Sequence, residues 1–212
     1  GSGLKAVMLA RQAIQLGDAE VIVAGGMESM SNAPYLLEKG RTGFRMGNAE
    51  VVDSMIKDGL WDVYNKFHMG KAAELCAKEC AVPRDAQDEF ASMSYKRAQS
   101  AWSEGRFNDE VVPVTVKGKK GDEIVSRDEE PYKTDFDKIP KLKPAFQEDG
   151  SVTAANASKI NDGAAALVVM SGEKAKQMGI KPIARIISHA SAAKKPEWFT
   201  TAPADVIPKI LN

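Results

Sequence analysis

Two apolar runs of strand length, Val21-Ile22-Val23-Ala24 and residues 164–170, stand far apart in the chain, and each is attached to a helix-forming stretch. Runs of that kind bury themselves in a sheet, so they belong together, and residues between them must leave the sheet and return to it. The first helix begins abruptly at Gly1-Ser2-Gly3, places Leu4, Val7, Met8 and Ile14 on one stripe, and is closed by Gly17. Its first backbone N–H groups have no partner within the helix, and such a terminus holds anions and lowers the pKa of a neighbouring thiol. Gly25-Gly26-Met27-Glu28-Ser29-Met30-Ser31 reads as a turn in which backbone passes close to backbone. The second run is followed by a helix over residues 172–178 and a strand over 183–188.

The intervening segment has a different texture. The spacing predicts helices over 70–81 and 84–104, the second with Phe90, Met93, Ser94, Arg97, Ala98 and Ala101 on one stripe, Tyr95 and Trp102 on a second edge, and Gly105 as its stop. Residues 111–116 and 123–126 flank the polar turn Gly118-Lys119-Lys120-Gly121 and read as an exposed hairpin. Residues 128–146 show no convincing period, and prolines at 131, 140 and 144 argue against a helix. A stretch of that length without regular structure is either functional or a solvated loop.

Composition removes several classes of function. The chain has 29 basic and 29 acidic residues, so no general electrostatic attraction to nucleic acid or an anionic membrane is expected. No apolar stretch reaches membrane-spanning length, and no hydrophobic signal core opens the chain. The glycines at 40, 43 and 47 lack phosphate-loop spacing and a following Lys-Ser/Thr pair. A dinucleotide fold fails as well, since the glycines after the first strand have the wrong spacing. Cys76 and Cys80 share a helix face with Ala72, Ala73 and Ala77, which favours buried structural thiols over metal or redox duty.

Helix, buried strand and glycine turn in this order resemble the thiolase family. The likeness continues through His68-Met69-Gly70, Ala101-Trp102 to Phe107, Asn108-Asp109-Glu110-Val111-Val112-Pro113-Val114, Thr153-Ala154-Ala155-Asn156-Ala157-Ser158 and Asn161-Asp162-Gly163-Ala164-Ala165-Ala166. It implies an α/β chain, part of the layered αβαβα thiolase fold with an inserted α+β loop domain. Residues 1–31 and 161–181 then belong to the first core half, 32–160 to the loop domain that binds coenzyme A and makes tetramer contacts, and 182–212 to the start of the second half. The implied activity is acyl transfer: condensation of two acetyl-CoA to acetoacetyl-CoA, and the reverse thiolysis, through a cysteine acyl-enzyme. Covalent capture divides carbon–carbon bond formation into two easier steps.

The same resemblance places the family's nucleophilic cysteine directly before Gly1 and its asparagine, histidine and second cysteine beyond Asn212. No catalytic residue is therefore expected within the chain, which reads as an internal piece that is inactive alone. Expected coenzyme A contacts are Leu60, His68 and Met69, with the histidine favouring the short-chain acetoacetyl branch. Tyr95, Phe146, Ala154 and Ser158 join them, the serine on the pantetheine and the phenylalanine on the adenine side. Lys133, Thr134, Asp135 and Lys138 match the nucleotide end, although the family often has arginine where Lys133 stands, and lysine supplies a point charge rather than a fork. Potassium-activated members pair a tyrosine with backbone carbonyls, which matches Tyr95 with Ala154, Ala155 and Ala157; simple helix packing accounts for Tyr95 equally well. The coenzyme A thioester is expected as substrate with no tightly bound cofactor, self-association as a dimer of dimers, and a cytoplasmic or mitochondrial-matrix location. A noncatalytic coenzyme A-binding or assembly protein derived from the same fold is the alternative.

Overall fold

The computed structural model describes residues 1–211. In chain order the elements are α1 (Ser2–Leu16), β1 (Val21–Ser29), β2 (Tyr35–Leu36), β3 (Val52–Asp53), β4 (Trp61–Asp62), β5 (Phe67–His68), α2 (Met69–Glu79), α3 (Arg84–Ser103), β6 (Val114–Val116), β7 (Glu123–Val125), α4 (Glu130–Lys133), β8 (Asp162–Met170), α5 (Gly172–Gln177) and α6 (Ala202–Leu211). Short 3-10 turns lie at Met30–Asn32, Ile139–Lys141 and Pro196–Thr201, and a π turn at Met55–Gly59. No helix among the described residues is long and apolar enough to cross a membrane. The chain divides into two compact units, one of residues 1–69 with 159–212, the other of residues 70–158.

In the first unit, β1 and β8 pair antiparallel from Val21↔Met170 to Ser29↔Asp162, so the two apolar runs do meet. The ladder runs through Gly25 to Ser29, where the sequence reads as a turn. Close backbone approach is nevertheless the reason for glycine there: a Cβ on Gly25 would run into the Ala165 carbonyl oxygen across the ladder. Helix α1 packs across both strands, with Ala10 of the helix and Ala24 of β1 buried. Leu4, placed on its apolar stripe by spacing, stays exposed. Gly17 ends α1 at φ +83°, with its amide and that of Asp18 donating to Ile14 and Ala13 carbonyls. Val23 and Val168, paired directly across the sheet, are exposed on its other face.

The strand anticipated over 183–188 does not form. Ile183 and Ile187 are exposed, and among the described residues no strand lies beside the segment to complete a ladder. Arg11 instead fastens it to α1, donating to the Ile187 carbonyl at 3.4 Å and meeting His189 Nδ1 at 3.1 Å. Ser171 caps α5 by accepting from the Lys174 amide at 3.0 Å.

In the second unit, α3 ends as anticipated at Gly105, φ +69°, with Arg106 N–H donating to the Ala101 carbonyl at 3.0 Å. Its buried face differs from the apolar stripe. Asp88 and Ala91 are buried, whereas Phe90 is 66% exposed. The inward side carries a polar network that hydrophobic patterning does not register. Residues 128–146 also hold more structure than their composition suggests: Pro131 and Pro140 occupy first-turn positions of α4 and a 3-10 turn, where proline's missing N–H costs nothing. The β6–β7 hairpin pairs Val114↔Val125 as the turn residues imply.

Replacing Gly25 by alanine forces β1 and β8 apart at their centre. Denaturant titration of the G25A chain is expected to show a loss of about 1–3 kcal/mol, and stability equal to the parent would mean that the strands do not approach as described.

Candidate functional site

The residues singled out by sequence fall into both compact units. In the first, a tight hairpin gathers Leu60, His68 and Met69. Trp61 pairs with His68 and Asp62 with Phe67, and the Met69 amide donates to the Leu60 carbonyl at 2.8 Å. The turn is organised by Asp62. Its carboxylate accepts from the Tyr64 and Asn65 amides at 2.9 and 3.0 Å and from the Asn65 side chain at 2.7 Å, while Lys66 adopts a left-handed φ of +58°. The Asn65 side-chain bond, opposed by desolvation and helped by the two amides, holds the buried Asp62 carboxyl below the usual carboxylate range. Asn65 also donates to Glu197 at 3.2 Å.

His68 is half-buried, and burial pushes its imidazole pKa down. A neutral ring at neutral pH follows, able to donate from one nitrogen and accept at the other.

In the second unit the loop of residues 151–158 carries Ala154 and Ser158 and is fixed by polar contacts. Glu74 of α2 accepts from the Ser151 and Val152 amides at 2.8 Å each, and from the Ser151 hydroxyl at 3.0 Å. Asn156 donates to Asp88 of α3 at 3.0 Å and to the Ser151 carbonyl at 3.1 Å, and accepts from the Thr153 amide at 2.7 Å. Arg84 pairs with Asp88 at 2.6 Å and donates to the Ile139 and Leu142 carbonyls at 2.9 and 3.0 Å. One network thus ties the loop, α3 and the proline-rich segment together around the fully buried Thr153. The Ala157 amide closes the loop onto the Thr153 carbonyl at 2.9 Å, which sets the run from Ala154 to Ser158.

Tyr95 and Ala155 are brought together directly, the phenol donating to the carbonyl at 3.3 Å. Tyr95 also meets Phe136 edge-on, and Lys96 stands 5.4 Å from the centre of that ring. Phe146 packs so tightly on Gly70 that a Cβ there would enter the ring. Around the expected nucleotide end, each lysine already has an acidic partner. Lys133 pairs with Glu129 and Lys138 with Asp135, both at 2.9 Å and exposed, and Asp135 also accepts from the Asp137 amide at 3.1 Å. The Asp135 carboxyl is held low, chiefly by Lys138, and the Lys138 amine is raised by the same pair. An incoming phosphate would have to displace these carboxylates.

Glu74, Arg84, Asp88 and Asn156 escape a search for catalytic residue types, because each holds structure through at least one partner distant in sequence. The Arg84–Asp88 spacing of four on a helix was the one available signal. Arg127, whose guanidinium lies 3.3 Å from the centre of the Tyr132 ring, was also missed.

The model of the thiolase N-terminal domain matches residues 1–173. Mitochondrial acetyl-CoA acetyltransferase of Bos taurus is 52% identical over 213 aligned residues, covering 100% of this chain and 50% of that protein. Acetyl-CoA acetyltransferase of Cupriavidus necator is 51% identical, over 100% of this chain and 54% of its own length. The chain therefore spans about half the length of the curated relatives it matches. Among solved structures, an acetyl-CoA acetyltransferase from Syntrophomonas wolfei superposes with TM-score 0.91 at 42% identity, over 99% of this chain and 53% of that one. A thiolase from Ascaris suum in complex with coenzyme A gives 0.89 at 43% identity, over 98% and 53%. The anticipated fold class, a partial thiolase-like α/β fold, agrees with these superpositions.

The acid response of the His68 hairpin follows from Asp62. Its folded pKa is depressed, so its stabilisation is complete above the unfolded value of about 3.9 and disappears as pH falls through the folded value. Hydrogen-exchange protection at Tyr64 and Asn65 is expected to fall below about pH 4, and this step is expected to be absent in D62N. Unchanged protection on acidification would rule out the carboxylate as organiser.

Proposed function

Because the chain belongs to the thiolase family, we propose that it is the coenzyme A-holding portion of an acyltransferase that condenses two acetyl-CoA to acetoacetyl-CoA and carries out the reverse thiolysis. The carrying observation is half identity along the full chain to proteins named acetyl-CoA acetyltransferase. The likeness to a coenzyme A-bound thiolase supports the same ligand.

In this reading His68 meets the pantetheine arm with a neutral imidazole, and Met69 packs against a small acyl group. Their common hairpin fixes both relative to Leu60. A preset binding geometry loses less entropy when ligand binds. Ser158, at the end of the loop carrying Ala154, holds the pantetheine through its hydroxyl, and Phe146 presents an apolar face to the adenine. Lys133 and Lys138 exchange Glu129 and Asp135 for the nucleotide phosphates, with Thr134 beside them. Because the existing pairs are exposed, each exchange costs little.

The family's nucleophilic cysteine, its Asn-Glu-Ala-Phe asparagine, its Gly-His-Pro histidine and its second cysteine are not among these 212 residues. In this reading the chain binds but does not turn over, and the intact enzyme assembles as a dimer of dimers. Residues 32–160 serve as its loop domain and 182–212 open its second half.

Potassium fits the Tyr95 region chemically. The phenol already donates to the Ala155 carbonyl at 3.3 Å, and Ala154 and Ala157 stand in the same loop, so a hard cation would be offered oxygen rather than nitrogen or sulfur donors there. Its chemistry there would be structural, holding the loop that carries Ser158.

Calorimetric titration of the chain with coenzyme A is expected to show binding that H68A weakens by about tenfold, equivalent to about 1.4 kcal/mol, with no thiolysis of acetoacetyl-CoA by the chain alone. Turnover by these 212 residues would overturn the placement of the catalytic groups, and absence of coenzyme A binding would overturn the reading itself. In the intact enzyme, replacing potassium by sodium is expected to weaken coenzyme A binding in the parent but not in Y95F. Equal affinity in both salts would remove the ion.

A further inference from the structure

Cys76 and Cys80 are the only cysteines in the chain, and the proposed acyl transfer uses neither. They stand at the C-terminal end of α2, where the Cys80 amide still donates to the Cys76 carbonyl at 2.9 Å. Helical geometry therefore persists between them. Just beyond, Ala81 takes a left-handed φ of +52°, and the Val82 amide returns to the Ala77 carbonyl at 2.8 Å, fixing the helix end. The two side chains leave one face, and their sulfurs lie 4.0 Å apart. Cys76 is half-buried and Cys80 exposed, which corrects the expectation of buried structural thiols.

Three uses of such a pair can be separated by distance and ligand count. A disulfide requires β-carbons about 3.5–4.5 Å apart and a bond of about 2.05 Å. Residues four apart on a helix hold their β-carbons at about 5–6 Å, and here the sulfurs are almost two bond lengths apart. Oxidation to a disulfide would have to unwind the last turn. A structural zinc ion needs four protein ligands. Among the described residues, no group of three or more His, Cys, Asp or Glu side chains could hold a metal ion, so zinc would lack two. A metal held by two sulfurs alone fits better. With metal–sulfur bonds of about 2.3 Å, two thiolates are separated by about 3.8 Å at a tetrahedral angle and about 4.6 Å when collinear. A two-ligand ion prefers the collinear arrangement, and the observed 4.0 Å is short of that spacing by about 0.6 Å, a difference that rotation of the two side chains takes up.

The soft ion selected by thiolates that is satisfied by few ligands is monovalent copper. We propose that Cys76 and Cys80 form a two-thiolate clamp for Cu(I). Two S–H bonds break and two Cu–S bonds form: two thiols and Cu(I) give a bis-thiolate complex of charge minus one, with two protons released to solvent. Copper remains monovalent, so no oxidant or reductant enters the balance. The proton release makes uptake rise with pH below the thiol pKa, by up to about 100-fold per pH unit.

Anaerobic titration of the 212-residue chain with Cu(I), in competition with a chromogenic Cu(I) chelator, tests the clamp. One Cu(I) per chain is expected, with two sulfur neighbours by X-ray absorption, and C76S and C80S are each expected to weaken binding by about 100-fold or more through loss of chelation. Far-UV circular dichroism confirms that these serine variants remain folded. The double change K78C/C80S keeps two thiols but points them to different helix faces, and it is expected to bind like a single-cysteine chain. No retained copper, one-sulfur coordination, single variants within about threefold of the parent, or full affinity in K78C/C80S would each overturn the proposal. So would closure of the pair to an intramolecular disulfide by peroxide with helix α2 intact.

Discussion

The antiparallel ladder between β1 and β8 is the constraint on which the remaining architecture depends. These nine-residue strands are distant in sequence, yet pairing them in register brings together both ends of the excursion between them. The junction has its own fastening: the Asp162 carboxylate accepts from the Ser31 amide at 2.9 Å and from the Ser31 hydroxyl. A slip by one residue would break that contact and turn every side chain of β8 to the opposite face. Glycine at position 25 is part of the same requirement, since no other residue lets the strands approach at that point.

Away from the ladder, carboxylates accomplish much of what large apolar side chains accomplish in a bigger core. The buried hydrophobic residues are mostly alanines, and Ile139 is the one large apolar side chain that is fully buried among the described residues. Asp62 gathers the hairpin that carries His68, Glu74 grips the backbone at Ser151 and Val152, and Asp88 links Arg84 to Asn156. Each acid is fully engaged by donors, so its burial is compensated. Such bonds are directional, and they specify loop conformation more narrowly than contact between alanines could. The hairpin that carries His68 and the loop that carries Ala154 are each held by such bonds.

What was legible in the sequence was local and periodic. The first helix, its stop at Gly17, the apolar run of β8, the β6–β7 hairpin and the stop at Gly105 all follow from side-chain periodicity or from a glycine's tolerance of positive φ. The continuation of β1 through Gly25 and Gly26 was not legible, because paired glycines signal a turn unless the partner strand is known. Residues 183–188 have strand composition but, among the described residues, no neighbour to pair with, and composition cannot supply one. Phe90 suggested the wrong inward face for α3, since the decisive contacts there are those of Asp88 with groups far away in sequence. Leu60, His68 and Met69 could be selected by resemblance, but the hydrogen bond that closes their hairpin depends on Asp62 and on backbone conformation at Lys66.

The long separation between β1 and β8 also has a consequence for the order in which the molecule can be made. During synthesis, residues 21–29 emerge well before their partners at 162–170, so α1 and β1 must wait with an unsatisfied strand edge while the second unit, residues 70–158, condenses as a compact body of its own. Closing a loop of that size costs on the order of 4 kcal/mol in chain entropy, and prior condensation of the excursion shortens the effective distance to be closed. The sheet at the chain's beginning is thus among the last parts to be completed, and its exposed valines mark a nascent intermediate with reason to engage a chaperone.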